Sequence, residues 1–303
     1  MRFIIPILTF LFLLGCGKKY PIPPEYDYGL PPEESYVLVD EWPGDMGYEL
    51  NAVADVLVGE DGFIYALTGG DVKKLFENGQ LNRVVIDGLS SPSAIHQDRK
   101  RNIYIADGET IRIFNRDGDS IYAFRDTSLV VTSGIAAEGE KIFVSDSERD
   151  LVLSYDTLGN LIDTVASYGA GILNVDEPLD LYILEGKIFV VSSEQNWVEA
   201  ISIDTPRVNL LHLGGETHEG DTLPGYFIDP VDVVVDDSAC VYVADGGNQR
   251  IQKFDSQGNF IVETELSESP VSVAVSGDGR SLYVGFADRI EKYKRPEMPG
   301  GGE

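Results

Sequence analysis

Asp55, Asp180 and Asp232 each open a short apolar run: Asp55-Val56-Leu57-Val58, Asp180-Leu181-Tyr182-Ile183 and Asp232-Val233-Val234-Val235. Hard cations such as Ca²⁺ take carboxylate and carbonyl oxygens, so three such groups converging on one point would make a weak cation site. The competing reading is that each carboxylate accepts nearby backbone N–H groups and orders its own turn. A second set comprises Asp107, Asp146 and Asp245, the last followed by Asn248 and Arg250. Asp and Asn favour turns, and Arg pairs readily with a carboxylate, which explains this set structurally. The alternatives are a catalytic role for this set and, for Asn248 and Arg250, a place on a face that meets a partner. Trp197 follows Asn196 in Ser192-Ser193-Glu194-Gln195-Asn196-Trp197. It is either an aromatic anchor for a partner or sugar ring, or a ring packed between neighbouring units. His218, with Glu216, Glu219 and Asp221, is the densest mix of candidate metal ligands, in the stretch that leads to Tyr226. No paired His or Cys spacing supports a metal there, so a solvated acidic loop is the simpler reading. The candidate partner-binding face is therefore Trp197, Asn196, His218, Tyr226, Asn248 and Arg250.

No Ser/His/Asp arrangement can be placed in the chain, which weighs against an enzyme. Its three histidines are His96, His212 and His218, and no G-x-S-x-G elbow is present. His96 falls in a predicted inner strand and His212 in a predicted outer one, so these two are not expected to meet. The sequence singles out no catalytic residue, and Ca²⁺ at the three carboxylates is the one cofactor its residues suggest.

The elements that must position these residues repeat. Residues 230–258 contain three β-rich runs, Val231–Val235, Val241–Ala244 and Ile251–Phe254, separated by polar, Gly-containing turns. The middle run recurs as Ile64-Tyr65-Ala66, Ile103-Tyr104-Ile105, Ile142-Phe143-Val144, Ile188-Phe189-Val190, Val241-Tyr242-Val243 and Leu282-Tyr283-Val284, with its aromatic residues 39, 39, 46, 53 and 41 residues apart. A period near 40 with four short strands per unit marks a β-propeller blade. Fourth strands are expected over Leu81–Ile86, Ser120–Phe124, Leu161–Val165, Asn209–Leu213 and Phe260–Glu265. The sixth unit stops after Ile290–Tyr293, and the unassigned run Tyr36–Trp42 is expected to supply its outer strand and close the ring. The residues equivalent to Asp232 are Asp55, Ala94, Gly134, Asp180 and Ser272, all small or acidic, as a crowded channel mouth requires.

The phrase Tyr242-Val243-Ala244-Asp245, then Asn248-Gln249-Arg250-Ile251, Phe254-Asp255 and Gly258, resembles the NHL repeat. All six units align to it, over residues from about 50 to 294. The resemblance implies an all-β, six-bladed β-propeller, often a scaffold that binds a partner on one face. Some six-bladed propellers are instead lactonases or lyases with a central metal. A metal-dependent hydrolase or lyase at the channel mouth is accordingly the alternative.

The N-terminus reads MRFIIPILTFLFLLGC: one cation, an apolar run from Phe3 to Leu14, then Gly15 and Cys16. This is the layout of a secretory signal peptide, too short for a comfortable transmembrane helix. Leu13-Leu14-Gly15-Cys16 resembles the lipobox of bacterial lipoproteins, which implies lipidation of Cys16 and cleavage just before it. Residues 17–34 hold five prolines and suit an extended tether. The expected organisation is thus a signal peptide over 1–15, a tether over 16–34, a propeller over 35–295 and a flexible tail over 296–303. Gly17, rather than Asp, follows Cys16, which leaves the outer membrane open in a host that has one. The only other cysteine is Cys240, so no disulfide can form within the mature chain.

The chain carries 51 Asp and Glu against 23 Lys and Arg, a formal charge of −28. Removing residues 1–15 deletes one cation and no carboxylate. Such acidity argues against nucleic-acid binding and against adhesion to an anionic bilayer by charge. The expected function is an extracytoplasmic, lipid-anchored module of the cell envelope that binds a protein, peptide or glycan.

Overall fold

The computed structural model describes residues 34–169, 174–215 and 217–296. Short runs rich in Val, Ile, Leu and Tyr alternate with Gly, Asp and Asn turns, and each group of four pairs into one antiparallel sheet. Six such sheets form six blades. Blade five shows the pattern: Pro230–Val235, Val241–Asp245, Arg250–Phe254 and Phe260–Glu265 run from the central channel outward. The second strands are buried on both faces because neighbouring blades cover them; Ile103–Asp107 and Val241–Asp245 contain no exposed residue. Outer strands such as Leu81–Ile86 and Ser120–Arg125 are mostly exposed.

The ring closes as the repeat arithmetic requires. Val37–Trp42 pairs antiparallel with Ile290–Lys294 and completes blade six beside Ser281–Gly285 and Ser272–Val275. Trp42 is fully buried against Tyr283, with ring centroids 5.6 Å apart. A repeated turn explains its position. Between the third and fourth strands, Gly118 sits at φ +89°, and an added Cβ would lie 2.0 Å from the Val85 carbonyl oxygen of the preceding blade. Gly79 makes the same approach in blade one, where the neighbour is Trp42. The N-terminal strand thus fills the place that a preceding blade's outer strand holds elsewhere. Tyr36 extends the seam by hydrogen bonding to Tyr242 and to the Gly279 carbonyl, and Glu34 pairs with Lys253 and Arg295 at 2.7 and 2.9 Å.

Two faces result. Connections entering the first strands share one face with the turns between second and third strands, here called the incoming-loop face. The tight turns between first and second strands, and between third and fourth, form the hairpin face. The expectations for Cys16, the tether over 16–33, Glu216 and the end of the tail fall outside the described residues. No described helix is long and apolar enough to cross a membrane.

Candidate functional site

The first strands bring Asp55, Asp180 and Asp232 to the channel, where all three line one narrow cavity. Their oxygens are spent on protein groups. Asp55 accepts the Ile95 N–H of blade two at 2.9 Å and the Ser272 hydroxyl of blade six at 2.7 Å. Asp180 accepts the Val233 N–H at 3.3 Å, and Asp232 accepts the Val273 N–H at 2.6 Å. In blade six Ser272 continues the pattern by accepting the Val56 N–H at 3.0 Å. These bonds reach neighbouring blades, so the carboxylates clasp one blade to another, while Asp55 Oδ1 also accepts the N–H of its own neighbour Val56 at 2.7 Å. At blade three, where the equivalent residue is Gly134, a Cβ would lie 2.7 Å from the Leu181 nitrogen, so there the strands touch directly.

Burial pushes the Asp55 carboxyl up to about 7 and that of Asp180 up to about 6, and raises Asp232 well above the ordinary range. Mutual repulsion adds to this, because Asp232 acts on Asp55 and Asp180 on Asp232. Asp180 and Asp232 stand close enough for each to bear on the other, and one proton held between two such carboxyl groups relieves their repulsion. Among the described residues no group of three or more His, Cys, Asp or Glu side chains is arranged to hold a metal ion.

The six residues expected to form a partner face come together around the connection over 215–230. Asp245 anchors it: Oδ1 accepts the Ile228 N–H at 2.8 Å, and Oδ2 accepts Arg250 Nε at 2.8 Å and Asn248 Nδ2 at 2.9 Å. Arg250 is buried, and its remaining donors go to Glu263 and to the carbonyls of Thr222, Leu223 and Tyr226. Asn248 donates to the Asp221 carbonyl at 3.0 Å. Asn196 donates to the His218 carbonyl at 2.8 Å and accepts the Asp229 N–H at 2.9 Å. Asn196, Asn248 and Arg250 therefore hold the loop from beneath instead of presenting donors to solvent. Gln252, fully buried, was not singled out from the sequence, yet it bonds Gly225 N at 2.8 Å and the Tyr226 carbonyl at 2.6 Å. Its only sequence signal is its place two residues after Arg250 on the same strand face.

Trp197 is half-buried, between His212 and His218 at ring-centroid distances of 5.2 and 4.8 Å. It packs beneath the 215–230 connection of its own blade's exit. His96 and His212 stay apart as expected: His96 lines the channel, while His212 pairs across its hairpin with Glu199. Asp107 and Asp146 repeat the Asp245 device, accepting N–H groups from Ser90 and Ser91, and from Val130 and Val131.

What the incoming-loop face leaves open lies beside these residues. Val130, Val131, Tyr168 and Leu223 are exposed on connections into blades three, four and five, Tyr168 at 64%. Among them stand Asp150, Asp176, Glu177, Glu194 and Asp229. Glu177 is raised by burial and then by the charges of the other four.

Comparison with known proteins agrees with this architecture. Residues 227–254 match the NHL repeat. NHL repeat-containing protein 3 from Homo sapiens is 27% identical over 191 residues, 57% of this chain and 54% of the relative. Its Mus musculus counterpart is 30% identical over 143 residues, 44% of this chain and 40% of the relative. The chain thus spans about half the length of these relatives or less. Among solved structures, a streptogramin B lyase superposes with a TM-score of 0.61 at 9% identity, covering 86% of this chain and 98% of the lyase. The WD40 β-propeller domain of Doa1 gives 0.60 at 12%, covering 89% and 100%. An auxiliary nutrient binding protein from Bacteroides ovatus gives 0.61 at 10%, covering 78% and 67%. At such identities the structural likeness speaks for the fold alone. Blade five carries a match to the NHL repeat over residues 227–254, and the chain as a whole is a six-bladed β-propeller.

Proposed function

We propose that this propeller is a lipid-anchored, extracytoplasmic binding module whose incoming-loop face meets a protein, peptide or glycan of the cell envelope. The observation that carries the binding reading is the exposure of Val130, Val131, Tyr168 and Leu223 on connections that the buried Asp146 and Asp245 devices hold in place. Exposed apolar side chains on rigidly supported loops, bordered by charge, are the makings of an interface. The anchoring reading rests on the signal-like segment ending at Cys16 and the proline-rich stretch behind it. Two or three acyl chains at Cys16 would hold the disc stably at a membrane, where one chain binds only marginally.

The test has two arms. Cys16→Ala is expected to move the protein from the membrane fraction to the soluble fraction; persistence in the membrane overturns the anchor. Cross-linking in the envelope should capture a partner with the wild-type chain and lose it with Val131→Glu plus Tyr168→Glu. An unchanged cross-link in that variant removes the incoming-loop face from the interface.

A further inference from the structure

The exposed apolar groups of the incoming-loop face border a strip of carboxylates. Tyr168 lies beside the turn between the second and third strands of blade three, where its N–H donates to the Asp150 carbonyl at 3.1 Å. Val131 flanks the same turn, its carbonyl accepting the Ser147 N–H at 3.0 Å. From there the loops are linked across blade four to blade five. Asp150 Oδ1 accepts the Glu177 N–H at 2.8 Å, and the Glu177 carbonyl accepts the N–H of Ser193, next to Glu194, at 3.1 Å. Asn196 of that turn accepts the Asp229 N–H.

These carboxylates stand near enough to act on one another. Glu177, at the centre, is raised by burial and then by the charges of Glu194, Asp229, Asp150 and Asp176. Asp176 is raised by burial and then by Asp150. None of the five forms an ion pair with a described residue, whereas Asp107 of blade two and Asp245 of blade five hold Arg112 and Arg250. The positive groups nearby do not neutralise the strip. Arg149 bears on Asp126, and His218 lowers Asp176 by less than burial and Asp150 raise it.

An exposed tyrosine and valine thus border an uncompensated negative strip on loops that the fold holds in place. A cation laid over the strip relieves the repulsion within it, and the part-buried position of Glu177 weakens screening by salt. An uncharged sugar gains nothing from the five charges, and an anionic one is repelled. A protein segment can bring a cation and an apolar side chain together on one strand. We propose that the occupant of this face is a basic segment of a protein. Its Lys or Arg side chains lie over Glu177, Glu194 and Asp229, and a neighbouring apolar side chain packs on Tyr168 and Val131. This deepens the interface reading given above and rests on it.

Calorimetric titration of the full chain with the capped peptide Gly-Lys-Leu-Lys-Leu-Gly, and with the same peptide carrying Glu for Lys, tests the occupant. The lysine peptide should bind and the glutamate peptide should not. Affinity should fall about tenfold from low salt to about 0.5 M NaCl. Glu177→Gln, Glu194→Gln and Asp229→Asn together should weaken binding about tenfold without lowering the thermal midpoint, because these side chains accept no bond from a described residue. Val131→Ser plus Tyr168→Ser, which adds no charge, should weaken it as well. No heat with the lysine peptide at millimolar concentration, equal binding of the glutamate peptide or of maltohexaose, or unchanged affinity in the triple variant overturns the proposal. An envelope cross-link that is lost with Val131→Glu plus Tyr168→Glu but survives in the triple variant overturns the basic occupant and leaves the interface standing. A cross-link unchanged in both removes the face itself.

Discussion

A carboxyl group inside the channel is held neutral at a pH where an exposed Asp is charged. Unfolded, Asp55 and Asp180 titrate near 4, whereas in the fold burial moves them to about 7 and about 6. The folded state therefore binds more protons between those limits. Stability from these groups is complete below about pH 4 and is lost as pH rises through 6 and 7. Glu77 runs the other way, because Lys292 holds it below the usual carboxylate range, and its contribution is lost in acid. The thermal midpoint should accordingly be highest near pH 5 and fall by several degrees toward pH 8. Asp180→Asn keeps an oxygen to accept the Val233 N–H and should flatten that fall. A decline as steep as wild type, measured by melting at several pH values, would remove Asp180 as its source. Arg250 presents the opposite situation, a buried cation with every donor engaged. Arg250→Met leaves Asp245 buried without its partner and should cost about 3–5 kcal/mol in urea unfolding. It should also open the 215–230 connection to proteolysis, and resistance equal to wild type would show that the loop holds without it.

At the scale of the element, the turn between third and fourth strands is both local and tertiary. Its glycine is needed for a positive φ, which the sequence makes legible, and also for a close approach to the blade before, which it does not. Gly118→Ala meets both obstacles at once, at φ +89° and 2.0 Å from the Val85 carbonyl oxygen, and should lower the thermal midpoint far more than Gly139→Ala, which meets no neighbour within 4 Å. Ring closure is a stronger case. Trp42→Ala removes a fully buried ring from the seam and should cost about 3–5 kcal/mol. Deleting residues 35–42 should lower the midpoint further by exposing the Ile290–Lys294 edge, and a truncated chain that melts with wild type would refute closure by this strand.

For the whole molecule, the ring converts six similar sequences into two unlike faces. The incoming-loop face is set by connections of unequal length, the longest pinned by Arg250, Gln252 and Asn196. The hairpin face is set by short turns. The repeat count, the spare N-terminal strand and the turn glycines could be read from the chain because blade period and turn chemistry are local properties, spelled within a few residues of each other. The small or acidic series at the channel could be read too, though its bonding partners could not. That Asp55 clasps Ile95 and Asp232 clasps Val273, that Trp197 sits between His212 and His218, and that Glu177 stands among Glu194 and Asp229 were decided only by the tertiary structure. The physical reason is that blade packing and ring closure, rather than any spacing along the chain, set the distance between side chains far apart in sequence, 40 positions for Asp55 and Ile95 and 41 for Asp232 and Val273.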